Sequence, residues 1–190
     1  MKNTVRITSG ILKGRNLKFF PNDSLRPTKN IVVEALGSIL NQEFQDTKCL
    51  DLFCGSGLVG LHFYSWGASQ VHLIDNHKIT IKELQKQIKQ LQCEEQVKAY
   101  CNDVQQFLDK NKSTYDIIYL DPPYQLYEQD TYSLELEPVI KKASENTKII
   151  CIEMPFKTKI ELSFLNDSFE MKNYKYGSAT LIIGKRKTDR

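Results

Sequence analysis

A short apolar run closed by an acid and two prolines constrains the fold more than any other stretch. Residues 115–120 are followed directly by Asp121-Pro122-Pro123-Tyr124. Such a run is typical of a buried parallel strand, and proline cannot extend a hydrogen-bonded ladder, so the strand must end at Asp121. Ligands of open α/β sheets bind at the carboxyl ends of the strands. This loop presents carbonyl and carboxylate acceptors beside an aromatic ring, which suits a flat group with an NH2, such as a nucleobase.

Similar runs recur along the chain and alternate with helical patterns. Ile81, Leu84, Ile88 and Leu91 recur at helical spacing, and a second apolar helix face is predicted from Leu134 to Ala143. The remaining strands are predicted at residues 48–53, 70–75, 97–101, 148–153, 169–176 and 179–185. The pattern predicts an α/β fold: a doubly wound, mostly parallel sheet of about seven strands that ends in an antiparallel hairpin.

The N-terminal segment differs from the rest in pattern and in charge. Val5 to Phe20 alternates apolar and polar residues around Lys13-Gly14, which predicts a small β-hairpin. Residues 1–30 contain seven basic side chains and one acidic side chain, whereas the whole chain carries a net charge of only +3. We therefore predict a basic N-terminal hairpin extension (residues 1–27) and a main domain (residues 28–190). Concentrated positive charge indicates a polyanionic partner contacted through phosphates, or a solvated face that contacts nothing.

Composition excludes several classes of protein. The chain has 190 residues with 41% hydrophobic content, which fits one domain, and no apolar stretch approaches the roughly 18 residues that span a bilayer. We expect a cytoplasmic monomer without membrane contact. The five cysteines are odd in number and contain no C-x-x-C pair, so we expect reduced thiols and no zinc site. The three histidines, for which we expect structural or surface roles, are His62, His72 and His77.

A glycine turn follows the predicted strand at 48–53. Gly55-Ser56-Gly57-Leu58-Val59-Gly60 matches G-x-G-x-x-G between a strand and a helix, and Asp75 ends the next strand, where it could accept from ribose hydroxyls. Glycines allow a close backbone approach, and a helix amino end favours an anionic group. The turn, from Phe53 to Gly57, therefore predicts an adenosine-containing cofactor, either a dinucleotide or S-adenosylmethionine.

Three further features favour S-adenosylmethionine. Asp51 lies two residues before Phe53 and could accept from the ammonium group of the cofactor. Asp103, with Asn102 beside it, follows the third strand, where it could accept from the adenine amino group. Asp121 and its loop have no role in hydride transfer, but they supply what methylation of an exocyclic amine requires.

These motifs together resemble a known family. Asp51–Gly57 followed by Asp121–Tyr124 is similar to class I methyltransferases that act on exocyclic amines, and three N-terminal motifs resemble the RsmD family of 16S ribosomal RNA guanine-N2 methyltransferases. The likeness runs from Arg6 to about Lys185, and the N-terminal motifs lie at residues 6–10, 13–15 and 25–28. The resemblance implies a Rossmann-like methyltransferase fold, S-adenosylmethionine as the methyl donor and small-subunit ribosomal RNA as the partner, free or within an assembled particle. It implies no metal.

The resemblance also implies a division of roles. Asp121 and the Pro122 carbonyl would accept from the guanine amino group while Tyr124 stacks on the base, and Asp121 would also border the cofactor. We expect RNA to be bound through the basic hairpin and the segment before the first helix, that is by Arg6, Lys13, Arg15, Arg26 and Thr28. Four alternatives stay open: a DNA adenine or cytosine amino-methyltransferase, a protein glutamine methyltransferase, a dinucleotide-dependent oxidoreductase, and an idle RNA-binding module.

Overall fold

The computed structural model describes residues 4–18, 28–158 and 160–188. Two strands form a small antiparallel sheet, and seven form the main sheet. In chain order they are β1 (Thr4–Arg6), β2 (Asn16–Lys18), β3 (Lys48–Leu52), β4 (Gln70–Asp75), β5 (Val97–Cys101), β6 (Tyr115–Leu120), β7 (Thr147–Pro155), β8 (Phe169–Tyr176) and β9 (Ala179–Arg186). The helices are α1 (Thr28–Leu40), α2 (Leu58–Ser65), α3 (Lys78–Gln90), α4 (Val104–Lys110), α5 (Gln129–Thr131) and α6 (Glu137–Glu145).

The order of the main sheet is β5-β4-β3-β6-β7-β9-β8, with β9 antiparallel to β7 and β8 antiparallel to β9. The chain runs outward from β3 through β4 to β5 and then crosses back to β6 on the other side of β3. The strand order therefore reverses between β3 and β6, which is the point where open α/β sheets bind ligands. The prediction of a seven-stranded, mostly parallel sheet with a C-terminal antiparallel hairpin is confirmed.

Helices cover both faces of the sheet because the inner strands are buried on both sides. On one face α1, α2 and α3 pack on side chains such as Cys49 and Tyr119, and on the other α4 and α6 pack on Leu52 and Ile118. Helix α3 shows the predicted apolar stripe, since Ile81 and Leu84 are buried while all four of its lysines are exposed. Among the described residues, no helix is long and apolar enough to cross a membrane.

Two segments differ from their predicted form. Strands β1 and β2 are only three residues each, and residues 7–15 form a compact connection because Gly10 and Gly14 adopt left-handed backbone conformations. Leu134 was expected on an apolar helix face but is 79% exposed. It lies in a π-helical turn, Tyr132–Leu136, whose wider winding buries its two end residues instead.

Candidate active site

The glycine turn lies at the carboxyl end of β3 and is built from left-handed residues. Phe53 has φ 61°, Gly55 φ 49° and Gly57 φ 75°. A left-handed conformation is costly for an aromatic residue and is characteristic of functional sites. The turn is closed by a hydrogen bond from the Gly57 N–H to the Cys54 carbonyl oxygen at 2.8 Å, and helix α2 begins directly after it.

Gly55 and Gly60, the first and last glycines of the motif, have different surroundings. A Cβ added to Gly55 would meet no atom within 4 Å, so open space lies above the turn. A Cβ on Gly60 would lie 2.0 Å from Leu73 Cδ2, so that glycine is required for α2 to pack against the sheet. No side chain caps the amino end of α2 within the described residues. The open space at Gly55 and the uncapped helix fit the anionic end of an adenosine-containing cofactor.

Asp51 is placed beneath the turn rather than at its surface. Its side chain is 1% exposed, and Oδ2 accepts a hydrogen bond from the Gly60 N–H at 2.9 Å. This contact fixes the first turn of α2 relative to β3. The predicted contact of Asp51 with the ammonium group of the cofactor stays a prediction.

Asp75 links β4 to the glycine turn. Its Oδ2 accepts from the Gly55 N–H and its Oδ1 from the His77 N–H, each at 2.9 Å. A carboxylate offers about four acceptor positions, so these two bonds leave capacity for further donors such as ribose hydroxyls. Asp75 is half-buried, so part of its carboxylate stays accessible. It makes a structural contact with the glycine turn and is also suitably placed for the predicted contact with ribose hydroxyls.

Asn102 and Asp103 lie at the end of β5, beside Asp75. The Asn102 N–H donates to the Asp75 carbonyl oxygen at 3.0 Å, which joins the carboxyl ends of β4 and β5. Asp103 is exposed and caps α4, because its Oδ1 accepts from the Gln106 N–H at 2.9 Å. The structure thus gathers Gly55, Asp75 and Asp103 along one edge of the sheet, in the order in which a cofactor would extend across β3, β4 and β5.

The loop Asp121–Tyr124 lies next to the glycine turn. Leu120 pairs with Leu52 in adjacent parallel strands, and the Asp121 N–H donates to the Leu52 carbonyl oxygen at 3.4 Å. Asp121 is half-buried, Pro122 is buried, and Tyr124 begins a 3-10 turn that ends at Tyr127. The predicted substrate loop and the predicted cofactor loop are therefore neighbours at the switch point of the sheet.

A buried network that the sequence did not predict lies behind this loop. The Tyr119 hydroxyl donates to Glu153 Oε2 and the Tyr127 hydroxyl donates to the Glu153 carbonyl oxygen, each at 2.7 Å. Glu153 is 1% exposed. Burial, followed by the charges of Glu153, Asp121 and Asp51, raises the pKa of Tyr119 well above its ordinary value. Tyr119 is therefore a neutral donor, and the network fixes the Tyr127 end of the loop on β7. A lone glutamate directly after the apolar run at residues 149–152 was the available sequence signal.

The described basic residues of the N-terminal hairpin lie away from the glycine turn. The Ile11 N–H donates to the Ser65 carbonyl oxygen and the Leu12 N–H donates to Ser65 Oγ, at 2.9 and 3.0 Å. Ser65 ends α2, so Lys13 lies about one helix length, roughly 12 Å, from the turn. Arg6, Lys13 and Arg15 are exposed. Thr28 is the first residue of α1, and Arg26 lies outside the described residues.

The cysteines and histidines take no part in the site's predicted chemistry. All five cysteines are free thiols, and burial raises the pKa of Cys49 to about 12 and that of Cys93 to about 11. His62 Nδ1 donates to the Leu58 carbonyl oxygen at 2.8 Å, and His72 Nδ1 lies 2.9 Å from the Tyr115 hydroxyl. Within the described residues, no group of three or more His, Cys, Asp or Glu side chains could hold a metal ion.

Comparison with known sequences identifies the family. Residues 5–185 match the family described as Conserved hypothetical protein 95. The ribosomal RNA small subunit methyltransferase D of Buchnera aphidicola is 35% identical over 142 residues, which is 74% of each chain. The chain belongs to the RsmD family. The corresponding Haemophilus influenzae protein is 33% identical over 126 residues, 65% of each chain, which extends the RsmD match to a second organism.

Solved structures similar to this RsmD family member share its fold. The Escherichia coli protein yhhF superposes with a TM-score of 0.83 at 24% identity, covering 98% of this chain and 99% of that one. A T. thermophilus 16S rRNA N2 methyltransferase (RsmC), solved in complex with AdoMet and guanosine, gives a TM-score of 0.76 at 19% identity. The match covers 97% of this chain and 50% of that one. The Rossmann-like methyltransferase fold is thereby confirmed.

Proposed function

We propose that this protein transfers a methyl group from S-adenosylmethionine to the exocyclic N2 of a guanine in small-subunit ribosomal RNA. Membership of the RsmD family supports a methyltransferase of ribosomal RNA, and it agrees with the predicted cofactor. Related folds were solved with AdoMet or SAM bound, in RsmC and in a magnesium protoporphyrin IX methyltransferase. Asp121–Tyr124 favours an exocyclic amine, and the choice of guanine N2 rests on the resemblance of the N-terminal motifs to the RsmD family and on the related fold of the N2 methyltransferase RsmC.

One observation carries this proposal: the glycine turn and Asp121 are held side by side at the switch point of the sheet. The Asp121 N–H donates to the carbonyl oxygen of Leu52, the last residue of β3 before the turn. An amine held by Asp121 would therefore lie next to a group seated over Gly55. Adjacency of this kind contributes to rate because orientation replaces a bimolecular encounter.

The residues of the loop suit a guanine amine. The nitrogen lone pair of that amine is delocalised into the ring, so it is a poor nucleophile. Acceptance of its two N–H groups by the Asp121 carboxylate and the Pro122 carbonyl oxygen favours a pyramidal nitrogen with a directed lone pair. Pro122 and Pro123 have no N–H, so the loop offers few donors that would compete for those acceptors. When bound, S-adenosylmethionine supplies an electrophilic methyl group on a sulfonium.

Tyr124 and Asp121 complete the proposed chemistry. Stacking of the base on the Tyr124 ring would hold it out of the RNA, a contact that is typically worth about 1–3 kcal/mol. The nitrogen proton becomes acidic once the nitrogen is alkylated, and Asp121 or water can accept it. The Tyr127–Glu153 bond supports this geometry by fixing the far end of the 3-10 turn.

The experiment that tests the proposal supplies labelled S-adenosylmethionine with ribosomal RNA, small-subunit particles, DNA and protein in parallel. We expect label in small-subunit RNA, free or assembled, and N2-methylguanosine on nucleoside mass spectrometry. Label in DNA or protein alone would contradict the substrate, and label at another guanine atom would contradict the reaction.

A second measurement tests the predicted RNA contacts. Charge reversal at Arg6, Lys13 and Arg15 should weaken RNA binding and reduce the dependence of binding on salt, because each phosphate contact contributes to that slope. Binding constants measured over a range of salt concentrations check this. An unchanged slope would mean that the basic hairpin is solvated surface.

A further inference from the structure

A cavity of about 490 Å³ lies beside the candidate active site, on the β9 side of β7. Its floor is the sheet face formed by Met154, Met171 and Ile182, and its roof is the segment after β7. We call it the edge pocket; its other lining residues are Pro155, Phe156, Thr158, Ile160, Glu161, Leu162, Ser163, Asn166, Asn173, Lys175 and Thr180. No residue of the glycine turn or of Asp121–Tyr124 lines it, so it is distinct from the proposed place of the target base.

Strand alternation places the polar side chains of the edge pocket on one face. Asn173 pairs with Ile182 and Lys175 pairs with Thr180 in the β8–β9 hairpin, and side chains two residues apart share a face. Asn173 and Lys175 are exposed, so they border the mouth of the cavity rather than its floor. The hairpin is held in place by a hydrogen bond of 2.9 Å from the Phe156 N–H to the Ser178 carbonyl oxygen.

The chemistry of the edge pocket fits a nucleobase better than a purely apolar ligand. Its floor is apolar and its rim carries amide groups, which can both donate and accept, at Asn166 and Asn173. Phe156 is 44% exposed, and the Lys175 ammonium lies 4.8 Å from the centre of its ring. Glu161 disfavours a phosphate inside the cavity, whereas it can accept from an exocyclic amine. A base inside and its phosphate outside, near Lys175, satisfies these groups together.

The edge pocket is close enough to Asp121 to hold a nucleotide of the same RNA. Adjacent strands are about 4.8 Å apart, so β9 lies about 10 Å and β8 about 14 Å from β6 across the sheet. The hydrogen bond from Tyr127 to Glu153 holds the end of the segment that follows Asp121–Tyr124 against β7. Strand β7 lies between β6, which carries Asp121, and the β9–β8 hairpin, which lines the edge pocket. The basic hairpin, by contrast, is docked at the remote end of α2.

We propose that the edge pocket binds an unpaired nucleotide that flanks the target guanine, and so contributes to the choice of methylation site. This inference rests on the proposed function. Single-stranded RNA is commonly recognised through bases splayed into such pockets, where they stack and hydrogen-bond along their edges.

The test uses the full chain and short RNA fragments centred on the guanine that the labelling experiment identifies. In each fragment, one nucleotide near that guanine keeps its sugar and phosphate but lacks its base. With the unaltered protein, we expect loss of one particular flanking base to raise KM about tenfold while kcat changes little. Asn173→Ala with Lys175→Ala should raise KM similarly on the intact fragment, and it should abolish the sensitivity to that base.

Lys172→Ala is the matched control, because Lys172 lies on the same strand but on its other face. It should leave KM and the base sensitivity unchanged, and thermal unfolding shows whether each variant is folded. An unchanged base profile in the Asn173 and Lys175 variant overturns the proposal. The same variants are also assayed on small-subunit particles. A KM effect that appears only there, and that does not depend on any flanking base, also overturns the proposal because it would indicate a protein partner. An unaltered protein that methylates no RNA would overturn the proposed function as well.

Discussion

The two ends of helix α2 serve different purposes. At its amino end the backbone is strained and open: Phe53 is left-handed and the space above Gly55 is free. At its carboxyl end the N-terminal segment is docked by complementary hydrogen bonds. Ser65 Oγ accepts from the Leu12 N–H at 3.0 Å and donates to the Ser9 carbonyl oxygen at 2.6 Å. The open end is the proposed ligand site and the other end is a structural contact, so substitutions at the two ends should separate activity from stability.

Asp121→Ala should have the largest effect. We expect the rate of methyl transfer to fall by about 10²–10³-fold or more, because the substrate amine loses its charged acceptor. Affinity for S-adenosylmethionine should stay within a few-fold, as measured by calorimetry. Asp116→Ala is the matched control on the same strand: Asp116 bonds Lys148 and the Lys48 N–H at the opposite end of β6. That control should lower stability but not the rate, and equal loss of rate and cofactor affinity in the Asp121 variant would indicate a structural role.

Gly55→Ala should have the next largest effect, and it acts on the cofactor. The added Cβ meets no protein atom but projects into the space proposed for the cofactor, so we expect a loss of affinity of about tenfold or more. Its left-handed backbone should cost about 1–2 kcal/mol of stability. Calorimetric titration and denaturant unfolding measure the two quantities.

Gly60→Ala is the comparison for that variant. Its Cβ would overlap Leu73, so overpacking should lower stability by about 1–3 kcal/mol, with a smaller change in cofactor affinity. If Gly55→Ala binds S-adenosylmethionine normally, the open space above the turn is not the cofactor site.

The same contrast explains what could be predicted from sequence. Strands β4, β5 and β6 were predicted to the residue, because each run of strand-forming residues stops at a polar turn or at proline. In β6, burial on both faces makes that run almost continuously apolar. The places of Asp121 and Gly55, directly after β6 and β3, could be predicted because proline ends a strand and glycine allows a tight turn. The form of residues 7–15 could not be predicted, because some of their hydrogen bonds go to Ser65 and His62, which are distant in the chain.

The Tyr119–Glu153 bond was missed for a related reason. It joins neighbouring strands, and only the strand order reveals that β6 and β7 are adjacent. Motifs whose residues determine the local backbone conformation can be recognised in a single sequence. Contacts that depend on which strands and helices are neighbours cannot be predicted in this way.

Ser65→Ala tests the structural end of α2. The variant loses both hydroxyl bonds and leaves the buried Leu12 N–H without its acceptor, so unfolding free energy should fall by about 1–3 kcal/mol. Cofactor affinity should not change, whereas RNA affinity should fall if the basic hairpin contacts RNA. Ser144→Ala is a suitable control, because Ser144 Oγ donates to a carbonyl oxygen on the exposed side of α6. Loss of cofactor affinity in the Ser65 variant would show that the two ends of the helix are coupled.

The smallest expected effect is a pH dependence at the same interface. His62 is 1% exposed, donates from Nδ1 to the Leu58 carbonyl oxygen, and accepts from the Thr8 N–H at Nε2, at 2.8 and 3.2 Å. Burial lowers its pKa, although the Leu58 carbonyl oxygen and the Glu34 charge oppose the shift. As the pH falls, the unfolded chain, with a histidine pKa of about 6.5, therefore binds a proton before the folded chain does. The contribution of His62 to stability is full above that pH and declines as the pH falls below it.

Denaturant unfolding between neutral and mildly acidic pH should show this decline, and His62→Gln should flatten it. Since a proton on Nε2 would also remove the acceptor for Thr8, the protection factor of the Thr8 amide against hydrogen exchange should fall as the folded His62 takes up its proton, before the sheet itself opens. Equal slopes in the two proteins would mean that other groups set the acid sensitivity of the hairpin.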